Sequence, residues 1–166
     1  MFPPSSFKKR TGNANALIAD LLEAHGWHID RSPKYGINRP DLIVRKAAQR
    51  FVVEVKVLAE GRADRVIPML SQAILQAQAQ ANAFDVGTTK PLAVIFVESA
   101  SHSLAKHIES FSEKYVPNVA VGLVSKGGLR YFRGAGLEEL NAEPEEEKWQ
   151  GSSLSNQPIN LFSDLN

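Results

Sequence analysis

The chain has 166 residues, 43% of them apolar and 22% charged, and no cysteine. That is enough for one domain with a sizeable core, and it excludes a disulfide framework, thiolate metal sites and cysteine nucleophiles. No apolar run approaches the roughly 20 residues of a membrane span, and the N-terminus Met1 to Arg10 has no apolar stretch ahead of its charges, so a cytoplasmic protein without membrane contact is expected. The net charge of +1 hides an asymmetry: residues 1–65 carry a net +5 and residues 66–166 a net −4. A basic half suits a polyanionic partner such as nucleic acid.

Residues 1–12 hold Pro3, Pro4, Ser5, Ser6 and the cluster Lys8, Lys9, Arg10. This composition predicts a flexible basic arm, a candidate contact for a phosphate backbone. A domain over residues 13–137 is expected to follow. Asn13 or Asn15 is a helix-capping residue type, and Leu17, Ile18, Leu21 and Leu22 repeat at amphipathic helical spacing up to Gly26. Trp27 to Asp30 alternates as a short strand. The polar loop Arg31 to Arg39 then brings Arg31, Lys34 and Arg39 to the start of the next strand as further candidate nucleic-acid contacts.

Leu42 to Val44 and Phe51 to Val57 are apolar and β-branched, and Ala47 to Arg50 between them predicts a hairpin. Along the second strand Val53, Val55 and Val57 face one way while Glu54 and Lys56 share the other face. Burying charges beside such a strand costs several kcal/mol per ion unless a partner compensates. Asp41 sits where the paired strand would start or end, after Pro40. The plain reading is a hairpin with one wet face; the functional reading is a carboxylate pair with an ammonium beside it.

Ala59 to Arg65 predicts a polar turn, with a helix starting at Pro68. Its stripe is Leu70, Ile74, Ala77, Ala81 and Phe84, and Gln72, Gln76 and Gln80 lie four apart on a neighbouring ridge. Pro91 to Val97 predicts a central buried strand. Ser99 to Tyr115 predicts a helix, Asn118 to Val124 a strand, and Lys126 to Gly128 a turn into the strand Leu129 to Arg133. The four histidines lack metal-binding spacing, and no phosphate-binding glycine loop occurs. Residues 138–166 are acidic and polar and predict a flexible tail, with Trp149, Leu161 and Phe162 as candidate contacts for a protein partner.

The segment Pro40-Asp41, twelve residues, then Glu54-Val55-Lys56 resembles the signature of the PD-(D/E)XK nuclease superfamily, which includes restriction endonucleases and Holliday-junction resolvases. The resemblance implies a single-domain α/β fold, a mixed sheet with flanking helices and an αβββαβ core, over about residues 13–124. It also implies a metal-dependent endonuclease acting on nucleic acid, with DNA the expected substrate. Asp41, Glu54 and the Val55 carbonyl would hold Mg²⁺ or Mn²⁺, and Lys56 would orient the attacking water. Gln76, or else Gln72, would reach the site from the helix. Many relatives cut as homodimers, although no stripe in this sequence identifies a dimer face. In resolvase-like relatives the first helix adds a further acid, and the matching position here is Asn15. Either Asp20 or Glu23 substitutes from another turn, or the site works with fewer carboxylates, or the protein is a binding or assembly module of the same fold.

Overall fold

The computed structural model describes residues 4–31, 40–84 and 88–142, with side chains of the first helix described from Asn13 onward. In chain order the elements are α1 (Pro4–Ala24), β1 (His28–Arg31), β2 (Leu42–Lys46), β3 (Gln49–Leu58), α2 (Ala63–Phe84), β4 (Thr89–Val97), α3 (His102–Tyr115), β5 (Ala120–Ser125), β6 (Arg130–Arg133) and a 3-10 segment at Leu137–Leu140. Six strands form one mixed sheet in the order β1-β2-β3-β4-β5-β6. β1, β2 and β3 are an antiparallel meander, β3, β4 and β5 run parallel, and β6 returns antiparallel. The expected α/β class, single domain and mixed sheet are all present.

The two parallel crossovers, through α2 and α3, step across the sheet in the same direction, which places both helices on one face. Leu70, Ile74, Leu104 and Ile108 pack there on Ala93, Ile95 and Leu123. Helix α1 covers the other face, where Ile18 and Leu22 meet Val53, Val55, Val94 and Phe96. Leu92 to Val97 are all buried, so β4 is the doubly covered central strand that its unbroken apolar run predicts.

Several boundaries differ from expectation. Helix α1 starts at Pro4, well ahead of Asn13, so the expected arm is continuous with the helix; the side chains of Lys8, Lys9 and Arg10 lie outside the described residues. Helix α2 starts at Ala63 and carries Pro68 inside it. Here Asp64 complements the positive end of the helix dipole and Val66 is completely buried, so the first turn is anchored without Pro68 as its start.

Past β6 the fold continues beyond Glu138. Leu137 and Leu140 are fully buried, the Phe132 N–H donates to the Asn141 side chain, and Ala142 bridges Arg130. Two leucines spaced for one turn bury against the α1 face of the sheet despite the acidic residues between them. Residues 143–166, with Trp149, Leu161 and Phe162, lie outside the described residues, as do 32–39 with Lys34 and Arg39.

Candidate functional site

Strand β2 pairs with β3 only as far back as Leu42 opposite Val53, whereas β3 runs on to Leu58 beside β4. The two strands therefore branch at Asp41, and the β3 edge beyond Val53 has no β2 backbone to pair with. Asp41 caps this branch, its Oδ2 accepting the Val55 N–H at 2.8 Å. Backbone N–H and C=O of one strand residue point to the same side, so the Val55 carbonyl lies along this edge as well.

Glu54 points to the other face, under α2, and is only 6% exposed. Gln80 Nε2 donates to its Oε2 at 2.9 Å. Burial pushes the Glu54 carboxyl up to about 7, helped by the charge of Asp41; Lys56, Gln80 and the Asp41 backbone N–H pull it the other way without prevailing. Lys56 is half-buried on the same strand face and forms no ion pair among the described residues. Two acids and an ammonium thus share one branch point, with the field dominated by the acids.

Helix α1 supplies the third wall. Asn15 Nδ2 donates to Asp41 Oδ1 across 3.5 Å, and its own Oδ1 is buried without a partner, as is Gln80 Oε1. The position where the resemblance leads one to look for an acid is therefore beside Asp41, occupied by an amide. Asp20 and Glu23 do not substitute for it. Both are on the outer surface of α1, bonded to Arg31 at 2.9 and 3.1 Å. Arg31, in turn, is held by those two acids.

Among the glutamines it is Gln80, rather than Gln76 or Gln72, that bonds Glu54. The signal was available in the topology: α2 runs antiparallel to β3, so a residue late in the helix lies over the middle of the strand, and Ala81 packs on Val52. Sequence periodicity marks the ridge but not which residue on it meets Glu54. His25 and His107 each hydrogen-bond a backbone carbonyl four residues back, of Leu21 and Ser103.

Among the described residues no group of three or more His, Cys, Asp or Glu side chains gathers closely enough to hold a metal ion. The donors near the branch are oxygens: the Asp41 carboxylate, the Glu54 carboxylate whose titration Asp41 influences, the Val55 carbonyl on the unpaired edge of β3, and the partnerless Asn15 Oδ1. This set fits a hard divalent cation that takes one or two carboxylates and keeps several waters, and it does not fit a soft metal.

No family model matches the chain, and no curated protein matches it. Two solved structures are similar in part. One is a crystal structure of a protein of unknown function, AF1548, at 16% identity and a TM-score of 0.42, covering 68% of this chain and 56% of that one. The other is SfsA of Pyrococcus furiosus in complex with Ca²⁺, at 18% identity and a TM-score of 0.33, covering 76% of this chain and 63% of that one. This chain spans less than two thirds of either. No helix among the described residues is long and apolar enough to cross a membrane.

Proposed function

We propose that the protein is a divalent-metal-dependent nuclease that hydrolyses phosphodiester bonds, with DNA as substrate. The observation that carries this reading is the branch of β2 from β3, where Asp41 and the buried Glu54 stand together with Lys56 beside them. Burial and the neighbouring acid raise the Glu54 carboxyl to about 7, an electrostatic cost that a bound divalent cation would relieve.

Asp41, Glu54 and the Val55 carbonyl would hold Mg²⁺ or Mn²⁺, which supplies Lewis-acid stabilisation of the phosphoryl oxygens when bound. The chain's own groups do the rest. Gln80 fixes one carboxylate oxygen of Glu54 and leaves the other for the cation. Asn15 and the Val55 N–H hold the two oxygens of Asp41. Lys56 orients the attacking water and offsets the charge that develops on the phosphate.

A second reading is favoured by one specific feature. Asn15 stands where a third acid would complete the set, so a binding or assembly module of the same fold that does not turn over is the alternative. Incubation of the purified protein with plasmid, single-stranded and branched DNA, with Mg²⁺ or Mn²⁺, separates the two. The nuclease reading expects cleavage that Lys56→Ala abolishes while DNA binding remains. Cleavage by Lys56→Ala equal to that of the parent sinks it, and binding without cleavage by the parent favours the module.

A further inference from the structure

The sheet face that carries Glu54 also carries a row of basic residues. Arg45 is directly opposite Arg50 across the β2–β3 pair, and His28 is directly opposite Arg45 across the β1–β2 pair. Directly opposite residues share a face, with Cβ atoms about 5 Å apart, and like charges so placed repel. Arg45 is exposed and forms no ion pair among the described residues; Arg50 lies over the Phe84 ring at 5.4 Å. With Ile43 and Asp30 these groups line a pocket of about 350 Å³ beyond the C-terminal end of α2. Against the two guanidinium groups the pocket lining holds one acid, Asp30, so its formal charge is positive.

The strands' period of two sets the distance from this row to the carboxylates. Arg45 and Arg50 form one rung and Ile43 and Val52 the next, on the face that α2 overlies; β2 then leaves β3 at Asp41, four residues from Arg45, with Glu54 four residues from Arg50 along β3. Four residues of strand span about 13 Å, comparable with about four steps of duplex rise at roughly 3.4 Å each. An extended polyanion passing outside the end of α2 spans this distance. A single small anion does not.

We infer that the His28–Arg45–Arg50 row is a phosphate-backbone site that holds nucleic acid a few nucleotides from the bond at the Asp41–Glu54 branch. Arg45 and Arg50 contact non-bridging phosphate oxygens, and Phe84 keeps the Arg50 guanidinium flat and pre-aimed. The inference rests on nucleic acid being the ligand, as proposed above, and not on turnover.

The test is binding of a fluorescein-labelled DNA duplex by the full chain in EDTA, across a salt series. Arg45→Ala with Arg50→Ala is expected to make the plot of log affinity against log salt shallower by about two. Arg45→Ala alone, which removes a side chain that holds nothing else among the described residues, is expected to change it by about one. Lys106→Ala with Lys114→Ala removes the same charge from α3 and is expected to leave the slope unchanged. The inference is overturned if the arginine variants keep the parent's slope, if the α3 variant flattens it equally, or if the parent does not bind DNA. Binding lost with the arginines, in a parent that fails to cut with Mg²⁺ or Mn²⁺, leaves this row standing and removes the nuclease reading. Cutting with an unchanged slope does the reverse.

Discussion

The amide of Gln80 donates a hydrogen bond of 2.9 Å to the buried carboxylate of Glu54, joining α2 to β3 at the point where β2 departs. Because this bond favours the charged acid, Gln80→Ala is expected to push the Glu54 carboxyl further above its ordinary value. A hydrogen bond to a charged group contributes about 1.5–3 kcal/mol, so the variant should lose stability of that order at pH 8 and less at pH 5. Urea unfolding at both pH values checks it. Equal losses at the two would show that Gln80 acts through packing alone.

Glu54 itself imposes a pH dependence. Its carboxyl is raised from 4.5 to about 7, so between these values the folded chain holds a proton that the unfolded chain has released. Stability is then greatest below pH 4.5 as far as this group is concerned, falls as pH rises towards 7, and levels off above it. The span corresponds to a loss on the order of 3 kcal/mol at most, at about 1.4 kcal/mol per pH unit. Glu54→Gln is expected to remove this decline in metal-free buffer. A variant whose stability falls over the same window as the parent's would assign the decline to other groups.

Asn15 tests how many acids the branch requires. Asn15→Asp would place a third carboxylate within reach of Asp41, and in the absence of metal the added repulsion is expected to destabilise the fold by about 1–3 kcal/mol. With Mg²⁺ present the order should invert, since affinity follows the charge of the ligand set: binding tightens on the order of tenfold and thermal unfolding shifts upward more than in the parent. Calorimetric titration of both proteins with Mg²⁺ reads this directly. Unchanged affinity would place Asn15 outside the cation site.

Gly122 marks a place where the sheet admits no side chain. It lies directly opposite Phe132, and a Cβ there would come within 2.6 Å of the ring. Gly122→Ala should therefore cost about 1–3 kcal/mol by overpacking. Combined with Phe132→Leu it should cost less than the sum of the two single changes. Strict additivity in denaturant unfolding would mean that the ring is not what Gly122 makes room for.

The apolar run Pro91 to Val97 marked the central strand, and the alternation through Phe51 to Val57 assigned Glu54 and Lys56 to one face, because a strand's period of two is a local property of the backbone. The Leu17 to Leu22 spacing marked α1 in the same way, and the Pro40-Asp41 and Glu54-Val55-Lys56 pair was visible as a motif. Helix starts were harder. The Pro68 start failed because the buried Val66 and the acid Asp64 anchor an earlier turn, and the break at Glu138 failed to register that Leu137 and Leu140 have a core to enter.

Other relationships depend on chain segments far apart in sequence. That Gln80 and not Gln76 meets Glu54, that Asn15 stands beside Asp41 while Asp20 and Glu23 turn outward to Arg31, and that Arg45, Arg50 and His28 line up abreast all follow from register between elements. Periodicity says which face of a helix or strand is apolar. It does not say how far one element slides along another, and that offset is set by how the side chains of α1 and α2 fill the space over the sheet.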